Sequence, residues 1–193
     1  MSAVTERKTF LRPEQIRELL AACERHDAAT FELQRDGTKH APRYAPITPF
    51  VRFLLLTGLR LGEALAVKWG DVDGDVLRIR AAVSKTKQTR DVDLSVAPSA
   101  VPSNHGKAVD RIFYLTADEA RAATRRLVDD FGAPPFSAQA LRGTCSTYFT
   151  CAFNAWRSAK SIGHSVVIAE RHYAGLVKVP VGCGTLEAAM GLL

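Results

Sequence analysis

The chain has 193 residues, enough for one well-buried core, and 47% of them are hydrophobic, as in a water-soluble globular protein. No run approaches the ~20 apolar residues of a membrane span, and the polar N-terminus MSAVTERKTF has no apolar signal core. Cys23, Cys145, Cys151 and Cys183 form no CxxC pair and have no histidine at zinc spacing, so they read as reduced thiols of a cytoplasmic protein, while a net charge of +6 favours a polyanionic partner.

LRPEQIRELLAACERHD predicts a helix, with Pro13 in its first turn and an apolar stripe of Ile16, Leu19, Leu20 and Cys23. A polar loop or insertion is expected from about residue 28 to 46. TPFVRFLLLTG is apolar nearly all round, which predicts a buried helix ending at Gly58. LRLGEALAV reads as a second, short helix. VKWGDVDGDVLRIRAAV then alternates around Asp73-Gly74 and predicts a hairpin, with DVDLSV as a third strand and the polar basic turn SKTKQTR before it. Residues 97–107 read as a surface connection. TADEARAATRRLVDDF has a threonine cap and an acidic first turn. SAQALRGTCSTYFTCAF, a segment through Ile168 to Leu176, and TLEAAMGLL continue the helices. The expected fold is mainly α with a small three-stranded antiparallel sheet. Residues 1–10 read as a tail or linker, 11–178 as the main domain, and 179–193 as a flexible joint with a short apolar helix. Leu186, Ala189, Met190 and Leu193 would form that helix's stripe, folded onto its own domain or docked on a neighbouring protomer; on the second placement a chain ending at Val179 stays folded.

Arg60 in TGLRLGEAL and Arg142 in QALRGT are arginines set among apolar or small residues. Arg60 and Glu63 are spaced to pair on one helix face, and Gln139 shares a face with Arg142. A half-buried arginine needs a partner, and two in one domain suggest a phosphate clamp. Between Val76 and Arg90 lie Arg78, Arg80, Lys85, Lys87 and Arg90, with no acidic residue. This is either a solvated hairpin tip or a finger reaching a DNA groove. His164 and Tyr173 fall on opposite faces of one continuous helix. They converge only if a turn intervenes, with His164 at a helix start and Tyr173 beyond it.

Taken together, TGLRLGEALAVKWGDVD, SKTKQTRDVDL, QALRGTCSTYF and IGHSVVIAERHYAGL resemble, in this order, the catalytic domain of the tyrosine recombinase (phage integrase) family. The resemblance spans about Thr9 to Val177. It implies the tyrosine recombinase catalytic-domain fold and strand transfer on double-stranded DNA through a covalent 3′-phosphotyrosine, without metal, ATP or other cofactor. Tyr173 is then the nucleophile, Arg60 and Arg142 the phosphate clamp, Lys85 the acid for the leaving 5′-oxygen and His164 a phosphate hydrogen-bond donor, with Glu63 in support. Arg78, Arg80, Lys87 and Arg90 become DNA contacts. Gln139 stands where the family usually has histidine, and glutamine cannot take a proton near pH 7. A resealing type IB topoisomerase-like enzyme and a weakened or inactive DNA-binding relative are the alternatives. The resemblance further implies a tetrameric synapse on DNA, and a longer integrase of which this chain is a fragment, since family members carry an N-terminal DNA-clamping domain.

Overall fold

The stripe Ile16, Leu19, Leu20 and Cys23 is buried along α1 (Pro13–Glu32), the first of eight helices in the computed structural model, which describes residues 10–32, 44–84, 87–103 and 105–193. Helix α1 continues four residues past the expected start of the polar loop, and residues 33–43 lie outside the described residues. The Asp27 carboxylate of α1 accepts the Ile47 and Thr48 N–H groups at 2.8 and 2.9 Å, so one helix caps the next. That next helix, α2 (Thr48–Thr57), buries Phe50, Val51 and every residue from Phe53 to Thr57. It ends where Gly58 adopts a left-handed φ of 63° and its N–H reaches Leu54 O at 3.0 Å.

After α3 (Leu61–Ala66) the chain does not enter a strand at once. Trp69–Asp71 form a 3-10 turn, closed by Asp71 N–H to Lys68 O and by the Asp71 carboxylate on Lys68 N–H. The hairpin is therefore shorter than the alternation suggests: β1 (Val72–Asp73) and β2 (Val76–Ile79), turning at Gly74, with β3 (Arg90–Asp93) completing the order β1-β2-β3. Both pairings are antiparallel, with Val72 opposite Leu77 and Leu77 opposite Val92. Strand β3 stops midway through DVDLSV because the Asp93 carboxylate accepts the Ser95 N–H at 3.1 Å and turns the chain.

The second half is built on α5 (Ala138–Ala152), buried from Ala140 to Thr150 and packed against α2, α6, α7 and α8. Its threonines tolerate this because Thr144 and Thr147 donate to the carbonyls four residues back, Ala140 O and Gly143 O, at 2.8 and 2.9 Å. Helix α4 (Ala117–Asp129) packs on α1 and α3 and has its expected Thr116 cap, reciprocated by Glu119. Beyond α5 the chain has a helix that the sequence reading did not name, α6 (Ala155–Ile162), capped by Asn154; Ser165 then caps α7 (Val166–Tyr173), the segment expected through Ile168 to Leu176. Helix α8 (Leu186–Ala189) lies on α5 of its own chain with Leu186 and Met190 fully buried.

Candidate active site

The left-handed turn at Gly58 sends the chain out of α2 and places Arg60 as the residue capping α3, in extended conformation. Glu63, one turn on, is 2% exposed. Its carboxylate accepts the Arg60 backbone N–H at 2.9 Å and the Arg60 Nη1 at 3.1 Å, so the pairing that the spacing allowed is present. Helix α5 brings Arg142 to the same turn: it is 6% exposed and its Nη1 donates to Gly58 O at 2.7 Å. Burial first, then the Arg60 charge, pushes the Arg142 guanidinium down to about 10, with Glu63 pulling the other way. It stays protonated at neutral pH, desolvated and facing like charge, a setting that an incoming anion relieves.

A third guanidinium completes the cluster. Arg90, expected on a DNA-facing finger, does not join Arg78 and Lys87 on the surface. Its side chain is 10% exposed, and Nη1 and Nη2 donate to the two Glu63 oxygens at 3.0 and 2.7 Å. Burial pushes the Glu63 carboxyl up. The Arg90 hydrogen bonds, the Arg60 N–H and both guanidinium charges outweigh that and hold it below the usual carboxylate range.

The turn between α6 and α7 decides the histidine–tyrosine question. Gly163, with a φ of 84°, ends α6, and Ser165 starts α7. His164 therefore precedes the helix rather than belonging to it, and the opposite-face count for one continuous helix does not apply. Tyr173 is the last residue of α7, not beyond it, and its ring stacks on His164 with centroids 5.5 Å apart and planes at 30°. Tyr173 is 3% exposed, and its backbone carbonyl accepts the Cys151 thiol of α5 at 3.4 Å. Gln139 sits exposed in the first turn of α5, one turn before Arg142.

The remaining basic residues flank this centre. Arg78 is exposed and pairs with Asp91 at 3.1 Å, while Arg80 pairs with Asp71 at 3.0 Å. The exposed Arg78–Asp91 pair contributes little, so Arg78 can exchange its aspartate for a phosphate at little cost, whereas the Asp71 side chain that holds Arg80 is only 12% exposed. Lys87 is exposed with a left-handed φ of 54°. Lys85 lies outside the described residues. Among the described residues no group of three or more His, Cys, Asp or Glu side chains is placed to hold a metal ion, and no helix is long and apolar enough to cross a membrane. The sequence reading missed the inward role of Arg90 and the part played by Gly163. The run Ile162-Gly163-His164-Ser165, a helix-ending glycine two residues before a capping serine, carried the second.

A sequence model of the phage integrase family matches residues 9–165. Among solved structures, the catalytic domain of bacteriophage HP1 integrase is similar at 22% identity and a TM-score of 0.58, over 86% of this chain and 89% of that one. A lambda integrase dimer bound to a COC′ core site is similar at 15% identity and a TM-score of 0.58, over 94% of this chain and 65% of the other. The Tn1549 transposon integrase in complex with a circular intermediate DNA gives 18% identity and a TM-score of 0.63, over all of this chain and 68% of that one. A comparison with curated proteins finds no match. The sequence match stops before Tyr173; the likeness to the Tn1549 transposon integrase, over all of this chain, runs past it.

Proposed function

The chain belongs to the phage integrase family, and on that premise we propose that its guanidinium cluster and the Tyr173 helix together cut and rejoin DNA strands in site-specific recombination. One observation carries the reading: Arg60 and Arg90 both hydrogen-bond the buried Glu63 carboxylate, and Arg142, held on Gly58 O, lies close enough to feel the charges of all three. Three positive charges and one negative leave an excess of two, with Arg60 reaching solvent, and a phosphodiester is the anion that fits such an excess.

In this mechanism the Tyr173 Oη attacks the scissile phosphorus, the P–O5′ bond breaks, and a 3′-phosphotyrosine and a free 5′-hydroxyl result. Arg60 and Arg142 hold the non-bridging oxygens as charge builds on them. Lys85 gives the leaving 5′-oxygen its proton. The phenol, with an ordinary pKa near 10, needs its own proton removed. Gln139 cannot take it, and His164, stacked on the tyrosine, is the adjoining group that can. Tyr173 is buried in the free chain, so cleavage has to be preceded by displacement of what covers it. Rejoining reverses the steps with a different 5′-hydroxyl, and the tyrosyl link conserves the phosphodiester energy. Lys87, Arg78 and Arg80 contact the duplex backbone, and recombination proceeds in a multimeric synapse in the cytoplasm.

A nicked suicide duplex tests this directly, because loss of the short 5′ end traps the covalent adduct. The wild-type chain should give a shifted band on a denaturing gel, and Tyr173→Phe should give none while binding duplex DNA within about 3-fold of wild type, since the change removes one hydroxyl and no phosphate contact. An adduct formed by the phenylalanine variant would refute the assignment. A wild-type chain that binds DNA and never forms an adduct would favour the inactive DNA-binding relative, which the exposed Gln139 at the family's histidine position suggests. Resealing without strand exchange between two duplexes would favour the topoisomerase-like reading.

A further inference from the structure

Arg90 opens β3, yet its side chain touches three segments that each carry or adjoin a candidate catalytic residue. Its two terminal nitrogens grip the carboxylate of Glu63, one helical turn after Arg60. Its Nε donates to Ser161 O, in the last turn of α6, at 3.3 Å. Its Cδ and Nε lie so close to Gly163, the residue before His164, that a Cβ built there would be 2.9 Å from both. The strand it belongs to follows directly on the turn that holds Lys85 in the sequence.

The charge balance explains why this matters. Glu63 is almost fully buried, and both of its oxygens are shared: Oε1 accepts Arg60 Nη1 and Arg90 Nη1, and Oε2 accepts the Arg60 N–H and Arg90 Nη2. A buried carboxylate deprived of one cation draws the other in fully. Without Arg90, Arg60 is the guanidinium left in contact with it. Arg60, with 30% of its side chain exposed, is the member of the pair with access to solvent and hence to a phosphate. We propose that Arg90 is a positioning residue: it holds both oxygens of Glu63 so that Arg60, which bonds that carboxylate through Nη1, keeps the rest of its guanidinium for the scissile phosphate, and it pins the Gly163–His164 turn beside that phosphate. The proposal rests on the strand-transfer reading above and assigns Arg90 no contact with DNA.

The test uses the full chain and four proteins: wild type, Arg90→Lys, Arg90→Gln, and Arg90→Gln combined with Glu63→Gln. Adduct formation is timed in a single turnover at saturating nicked duplex, and duplex affinity is measured across a salt series. Arg90→Gln should lose about 10- to 100-fold in adduct rate, the worth of one hydrogen bond to a charged group, while Kd moves less than about 3-fold and the salt slope is unchanged. Arg90→Lys, which keeps the charge and loses the fork, should fall between. Adding Glu63→Gln should restore part of the lost rate, because no buried carboxylate then competes for Arg60. A merely structural residue would show lowered thermal stability and no rescue by Glu63→Gln. A DNA contact would show a changed Kd and salt slope with an intact saturating rate. Either pattern overturns the proposal. Should wild type form no adduct, the strand-transfer reading fails separately. Inorganic vanadate titrated by thermal shift then decides on Arg90: weaker vanadate binding in Arg90→Gln, recovered in the double variant, supports it, and equal binding in all the proteins refutes it.

Discussion

Gly163→Ala perturbs two things at once, and the structure separates them. The first is backbone: φ at Gly163 is 84°, a left-handed conformation that costs an L residue about 1–2 kcal/mol. The second is the neighbour. The added Cβ would lie 2.9 Å from Cδ and Nε of Arg90, atoms in the middle of a side chain tethered at both Glu63 oxygens and at Ser161 O. Moving it sacrifices at least one hydrogen bond to a charged group, worth about 1.5–3 kcal/mol. The sum is a loss of roughly 2.5–5 kcal/mol, taken from an ordinary domain stability of about 5–15 kcal/mol. Gly182 is the control. It has a similar φ of 76° and nothing within 4 Å of a built Cβ, so Gly182→Ala carries the backbone cost alone. Urea unfolding of both variants gives the difference directly, provided the m-values agree. Gly163→Ala should be the less stable by about 1.5 kcal/mol or more, with a reduced adduct yield under conditions where it is still folded. Equal destabilisation by the two alanines would show that Arg90 is not held against Gly163, and the reasoning would fail.

Two other outcomes follow from the packing and the charges. Ending the chain at Val179 removes Leu186 and Met190, both without exposed surface, and the Glu187 carboxylate that accepts Ser99 N–H at 3.0 Å. Two fully buried apolar side chains are worth about 3–6 kcal/mol together, so the truncated chain should melt far below the full one or fail to fold, contrary to the expectation drawn from its loose joint. A melting temperature within a few degrees of the full chain, by circular dichroism, would show that α8 leaves this site in solution. Acid should also weaken the fold in a defined direction. Glu63 and Asp93 are both held below their ordinary values, 4.5 and 3.8. Their stabilisation is therefore complete above those values and is lost as pH falls through the lower folded-state values. The urea midpoint should drop as pH falls from 5 toward 3, and less steeply in Glu63→Gln; identical acid curves for the two proteins would refute the part assigned to Glu63.

Local chemistry made much of this protein readable as a string of letters. The all-apolar α2, the Gly58 stop, the Thr116 cap and the turn at Asp73-Gly74 each depend on residues within about four positions of one another, the range over which helical and turn hydrogen bonds act. The order of Arg60, Lys85, Arg142, His164 and Tyr173 likewise declared the family without coordinates. What needed tertiary structure was the direction each charged side chain takes. Arg90 and Arg78 sit twelve residues apart in one basic stretch and look alike there, yet Arg78 meets an exposed aspartate while Arg90 is buried against a carboxylate 27 positions away and a carbonyl 71 away. Arg142 is fixed to a carbonyl 84 residues before it. The tail is a similar case: its apolar stripe called for a partner, and only the packing of α8 on α5 shows which surface supplies it in this chain. Burial of a charge is set by what the rest of the chain places around it, and that information is spread over the whole fold rather than written beside the residue.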